Sequence, residues 1–161
     1  ILGYGHTSDA YHVTAPLETG ESAAEAIRIS LRDAHIAPDK IDYINAHGTG
    51  TPLNDRSETL ALKRALGELA YSIPISSTKS VTGHLMGAAG SVEAIFTIMA
   101  ILEDFVPPTM NLEHPDPECD LNYTPLVGVK RKIEIAMSNS FGFGGHNAVL
   151  IFGEYKQNGS Q

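Results

Sequence analysis

Three short stretches hold most of the side chains able to do chemistry: "HGTGTPLND" (His47, Thr49, Thr51, Asp55), "STKSVTGHLMGAAG" (Lys79, His84) and "NSFGFGGHN" (Phe141, Phe143 among glycines). His84 stands at the mouth of a run of small residues that becomes apolar. A ring at a helix N-terminus meets the positive end of the macrodipole, which disfavours imidazolium and leaves a neutral hydrogen-bond donor. Such a donor suits a developing oxyanion; a simple cap or a satisfied core histidine is the competing reading. His47 precedes a loop whose threonines, Thr49 and Thr51, present hydroxyls fit for a polar tether, or else for bonding their own backbone in a turn.

Lys79, five residues before His84, has Glu93 or Asp55 as candidate partners, or is a solvated lysine. Glu93 interrupts an apolar run, and a buried carboxylate must be paired or neutralised. Asp55 and Glu58 read first as helix-capping residues. "SFGFGGHN" reads as a tight turn with inward N–H groups, able to complete an oxyanion hole with a phenylalanine as movable wall. A hairpin with bulged glycines competes, and His146 reads as structural.

Several chemistries find no support. The seven histidines form no HxxxH or HExxH pair and the single cysteine, Cys119, builds no thiolate site, so no metal is expected. "GTGTPLND" lacks the ending a P-loop requires. A net charge of −8 without a Lys/Arg stripe argues against nucleic acid. No continuous apolar stretch approaches the ~18 residues of a membrane span, and one cysteine with no secretory leader fits a reducing cytoplasm.

The elements that must position these loops alternate. "ILGYGHTSDAYH" reads as a strand entering a polar loop, and its start as mid-protein. Ser22 and Glu25 stand as a capping box before a helix to about His35. "IDYINA" is a strand, "SETLALKRALGEL" a helix, and "SIPISS" a second strand. A helix from about Leu85 to Phe105, apolar nearly all round, is expected to be buried. The proline-rich stretch 106–126 reads as a structured surface excursion, and "KIEIAMSNS" and "NAVLIFGEY" as closing strands. This is an α/β pattern in one domain, 1–154, with a polar tail at 155–161. In such folds ligands gather at the carboxyl ends of strands, so the three loops share one pocket.

Together and in this order, "NAHGTGTPLND", "SSTKSVTGHLMGAAG" and "NSFGFGGHN" resemble the C-terminal half of a β-ketoacyl-acyl-carrier-protein synthase, most closely the elongating type of fatty-acid synthesis. The likeness runs from Ile1 to about Glu154. It implies a thiolase-like half-domain, a mixed β-sheet flanked by helices, within a five-layer α-β-α-β-α body. The implied reaction is decarboxylative Claisen condensation of an acyl thioester with malonyl-acyl carrier protein, with no cofactor beyond the carrier's phosphopantetheine. It implies that His47 and His84 donate to the nascent enolate, that Lys79 with Glu93 holds the charge network, and that Asp55 and Glu58 support it. Thr49 and Thr51 would bond the pantetheine arm. Phe143, with its backbone N–H, would gate the acyl pocket and serve the oxyanion hole, Phe141 joining it at the substrate.

One departure matters. The family's nucleophile is a cysteine in the first half, and Cys119, in an acidic stretch expected to raise its pKa, is not that residue. The chain is therefore expected to lack condensing activity alone, to require the N-terminal half and acyl carrier protein, and to expose apolar surface where a partner belongs. The resemblance implies a homodimeric full enzyme. His146 stands where many relatives have threonine, which leaves its role unassigned. A polyketide ketosynthase and a non-catalytic ketosynthase-like subunit are the alternative readings.

Overall fold

The computed structural model describes residues 1–155; of the tail read at 155–161, all but Tyr155 lies outside them. The strands are β1 (Gly3–Ser8), β2 (Tyr43–Asn45), β3 (Ile75–Ser76), β4 (Phe105–Val106), β5 (Val129–Lys130), β6 (Ile135–Gly142) and β7 (His146–Gly153). The α-helices are α1 (Glu21–Asp33), α2 (Pro52–Leu66), α3 (Lys79–Thr82) and α4 (Ala89–Glu103).

Five strands form one mixed sheet in the order β1-β7-β6-β2-β3. β2 runs parallel to both β3 and β6, whereas β7 is antiparallel to β6 and to β1. The parallel trio therefore ends at one edge of the sheet, and the loops after β2, β3 and β6 emerge there together, as expected. Side chains alternate across the strands. Ile44, Met137, Val149 and Ile151 join Ile27, Leu31 and Leu62 of α1 and α2 in a core on one face. Tyr43, Ala136 and Phe152 join Ala100 and Ile101 of α4 on the other. The result is one α-β-α sandwich, each fully buried Leu or Ile contributing roughly 1.5–3 kcal/mol.

α1 lies almost on the backbone of β1. A Cβ on Gly5 would fall 1.9 Å from the Ala26 carbonyl oxygen, so glycine is what permits this approach.

Four expectations about the elements change. α1 begins after Gly20 in the left-handed region, with no side-chain cap; the Ser22–Glu25 capping box is not formed, and Glu25 pairs with Arg28 and Arg32 instead. α2 starts at Pro52 rather than near Ser57, because Thr51 is extended and Pro52 supplies a preset φ at the first turn, so neither Asp55 nor Glu58 caps it. The helix expected over 85–105 starts as a 3₁₀ turn, Met86–Ala88, and becomes α-helical only at Ala89, since Met86 adopts φ +51°. It is not buried all round. Glu93, Thr97, Ala100 and Ile101 face inward, while Ile95, Ile98, Met99 and Leu102 form an exposed apolar stripe, Leu102 at 74%.

The run Met86–Glu103 is also long and apolar enough by length and composition to cross a membrane, contrary to the expectation that nothing approaches that length. Its inward face, however, carries the buried polar residues Glu93 and Thr97, both tied to the sheet side of the domain. The proline-rich stretch is indeed an ordered excursion, pinned at its ends by the small β4–β5 hairpin that the sequence did not reveal.

Candidate active site

The His47 loop is fixed by a carboxylate. Glu58, buried on α2, accepts the backbone N–H groups of His47 (2.9 Å) and Gly48 (2.8 Å) and the Asn139 side-chain amide from β6 (3.0 Å). Burial pushes the Glu58 carboxyl up, and these three donors oppose the shift. Asp55 does smaller work, accepting from Gly50 N–H and the Asn54 amide. The Thr49 and Thr51 hydroxyls lie 2.9 Å apart, so they bond one another rather than their own backbone.

Lys79 is buried in the first turn of α3. Its ammonium donates to the His47 carbonyl at 2.6 Å and forms an ion pair with Glu93 of α4; of the two partners the sequence allowed, Glu93 is the one found. Burial pushes the Glu93 carboxyl up, Lys79 pulling the other way. Asn45, at the end of β2, knits this pair into the sheet: its amide donates to the Glu93 carbonyl and to the Thr97 hydroxyl, and it accepts from Thr78.

His84 follows α3 and lies ahead of the 3₁₀ turn, not on the first turn of α4. Its side chain is exposed, and its Nδ1 accepts the Met86 N–H at 3.1 Å. An Nδ1 that accepts must be unprotonated, so the neutral ring carries its proton on Nε2 and presents that N–H outward. A specific hydrogen bond, rather than a helix dipole, thus makes His84 a donor. Its ring centroid lies 5.6 Å from that of His47 at 84°, and Phe141 packs against the other ring at 5.8 Å.

His47 is buried, and its pKa falls to about 3, through burial first and then the nearby charge of Lys79. Two imidazoles from separate loops therefore meet, one held neutral by its surroundings and one fixed as an Nε2 donor. Because the folded pKa of His47 lies below its ordinary 6.5, folding favours the neutral ring. The stability this brings is full above about pH 6.5 and is lost as pH falls toward 3. At pH 4 the loss amounts to about 3 kcal/mol. Urea titrations of the chain and of His47→Gln at pH 7 and 4 check this by difference, which cancels the opposite contributions of Glu58 and Glu93; equal pH slopes in both proteins would exclude a buried neutral His47.

The His84 ring lines a cleft of ≈ 510 Å³, and the His47 loop reaches it through Ala46 and Gly48. Thr49, Thr51, Lys79 and His84 line one side, and Met110 and His114 of the proline-rich excursion the other. Cys119 also lines it; its thiol is pushed up, mainly by burial and secondarily by Asp116 and Asp55.

The glycine-rich turn differs from expectation. Phe141 and Gly142 belong to β6, and only Phe143–Gly145 turns. The Gly144 N–H does not point into the site but donates to Val13 (2.6 Å), and Phe143 is 67% exposed, away from the cleft lining. The structure thus gathers His47, His84, Lys79, Glu93, Glu58 and Phe141, with Thr49, Thr51 and Asp55 at the cleft, and leaves Phe143 outside. Sequence reasoning missed Asn45 and Asn139. Both are fully buried amides, Asn45 at the end of β2 and Asn139 midway along β6, and an amide within a strand was the available signal.

The family model described as β-ketoacyl synthase, C-terminal domain, matches residues 1–113. The 3-oxoacyl-[acyl-carrier-protein] synthase 2 of Synechocystis sp. is 56% identical over 97% of this chain, and that of Staphylococcus aureus 50%. The chain spans 38% of the length of either. Among solved structures, a type II PKS ketosynthase in complex with its acyl-carrier protein and bound to the hexaketide superposes with TM-score 0.94 at 40% identity, over 96% of this chain and 38% of that one. A β-ketoacyl synthase from Burkholderia phymatum gives 0.90 at 40%, over 97% and 37%.

Proposed function

The chain belongs to the β-ketoacyl synthase family as its C-terminal domain, and from that premise we propose that it supplies the decarboxylation half of a condensing enzyme of fatty-acid elongation. The observation that carries this reading is the convergence of His47 and His84, 5.6 Å apart, behind a buried Lys79–Glu93 pair. In the reaction, malonyl thioester loses CO₂ and its carbonyl oxygen becomes an enolate. Fixed neutral donors stabilise that charge best in a site with little water to reorganise. His84 Nε2–H and an N–H of His47 are those donors. Lys79 holds the His47 carbonyl and spends its charge on Glu93, so the histidines are positioned by a cation without being protonated by it.

The cleft accommodates a thioester arm, with Thr49 and Thr51 as its polar contacts, while Phe141 backs the His47 ring. Phe143, exposed here, is the wall that moves. The enolate carbon attacks the carbonyl of an acyl thioester on a cysteine outside this chain, and that cysteine leaves as thiolate. The reading therefore includes the N-terminal half of a synthase, acyl carrier protein as the donor of both substrates, a homodimeric whole enzyme in the cytoplasm, and no cofactor beyond the carrier's phosphopantetheine. The apolar stripe Ile95–Leu102 is where the missing half seats.

Polyketide condensation is the second reading, favoured by the neighbour carrying a hexaketide. Identity of 56% to a 3-oxoacyl-[acyl-carrier-protein] synthase 2 against 40% to that ketosynthase weighs the other way.

The test joins this chain to the N-terminal half of an elongating synthase and follows CO₂ release from malonyl-acyl carrier protein. Activity is expected in the joined enzyme and none in the chain alone. Thr49→Val/Thr51→Val is expected to raise KM for the carrier substrate about tenfold with kcat retained, the loss of one or two hydrogen bonds made equally in ground and transition states. Absence of decarboxylation in a folded joined enzyme would overturn the reading.

A further inference from the structure

The glycine turn that presents Phe143 is held from outside the cleft by a ladder of rings. Tyr4, His6 and His146 lie on one exposed face of the β1–β7 pair, where Ser8 is paired with His146 and His6 with Ala148. Tyr4 and His6 stack with centroids 6.4 Å apart at 17°, and His6 and His146 at 6.1 Å and 23°. Both distances fall within the range of attractive ring pairs. The last rung ends on the turn itself. A Cβ at Gly144 would lie 3.3 and 3.4 Å from Cδ2 and Nε2 of His146, so the imidazole packs directly over the Gly144 Cα, whose φ is +80°.

On its inner side the same turn is tied to the loop after β1. Gly145 accepts the Asp9 N–H at 2.8 Å, and Asn147 donates to Asp9 at 2.7 Å. With glycines on both sides of Phe143, the turn has no side chain of its own to brace it from outside. His146 does that.

We propose that His146 is a positioning residue for Phe143: its ring, stacked on His6 and through it on Tyr4, braces the turn from outside by packing over the Gly144 Cα. That Phe143 thereby controls an acyl group rests on the functional reading above; the bracing does not. The Asp9 carboxylate, which accepts the Leu17 N–H and the Asn147 amide, holds the inner side of the turn, so the outer side is left to the ring.

The experiment is NMR of the chain with ring-labelled phenylalanine, at one pH. The Phe143 resonance is identified by its loss in Phe143→Leu, and the other phenylalanines serve as internal controls of folding. His146→Gln, which removes the ring, is expected to move the Phe143 signal while the controls stay, and to speed exchange of the Gly144 N–H about two- to tenfold, the factor one ring contact supplies. His146→Phe, which keeps a ring, is expected to hold the wild-type Phe143 position and the wild-type exchange rate. An unmoved Phe143 signal in His146→Gln, or His146→Phe behaving as His146→Gln does, overturns the proposal. Activity enters none of these readouts, so failure of the condensing-enzyme reading leaves the result interpretable.

Discussion

His84→Ala, in the joined enzyme, is expected to lower the rate of malonyl-carrier decarboxylation by about 10²–10³, the usual loss when one preorganised donor to a developing oxyanion is removed. The fall belongs to kcat. The thioester carbonyl of the ground state carries little charge, so the hydrogen bond strengthens only as the enolate forms, and KM stays near its original value. Stability should not change, because the ring is exposed and its one hydrogen bond is to the nearby Met86 N–H; surface substitutions of this kind stay within about 0.5 kcal/mol. Steady-state kinetics beside a urea curve separates the two effects. Full activity in His84→Ala would show that the enolate is stabilised elsewhere, and the site would retain its architecture without its proposed chemistry.

Much of this arrangement was legible in the sequence because it is local. Histidine beside glycine, paired threonines and an acidic residue in an apolar run each signal their constraint within a few positions, and Glu93 was recognisable as a carboxylate needing a cation. The alternation of helix and strand then placed three loops at one edge of a sheet, which the parallel β2, β3 and β6 bear out. The family likeness was carried by the same three motifs.

What stayed hidden depends on partners distant in sequence. Glu58 and Asp55 look like caps when only their own helix is considered. Glu58 instead reaches 10 and 11 residues back to the Gly48 and His47 amides and 81 residues forward to Asn139, a role that only the packing of α2 against β2 and β6 defines. The turn at Phe143 was read as turning its amides inward, yet its nearest acceptor, Val13, belongs to the loop after β1, 131 residues before Gly144. α4 shows a third kind of misreading. Apolar residues all round implied burial, but half of that surface faces outward in this chain, and composition alone cannot distinguish a helix buried in its own domain from one with a face reserved for another part of a longer assembly.

Lys79 is where stability and function become inseparable. Its side chain and that of Glu93 are each only 4% exposed, so water screens neither charge. Removing one partner leaves a buried, uncompensated ion, which typically costs about 3–5 kcal/mol. Lys79→Met is therefore expected to lose that much in urea denaturation at pH 8, where Glu93 must stay ionised or take a proton from a dilute pool. Glu93, pushed up by burial, has a folded pKa above its unfolded value, so protonation favours the folded state and the penalty shrinks toward pH 5. Lys79→Met/Glu93→Leu, which removes both charges, should regain most of the loss at pH 8. It should not regain activity, because the His47 carbonyl still lacks the ammonium that held it at 2.6 Å. A loss below about 1 kcal/mol for Lys79→Met, the range of solvent-screened pairs, would mean that the ion pair is not what anchors His47, and the orientation of that ring would have to come from Glu58 alone.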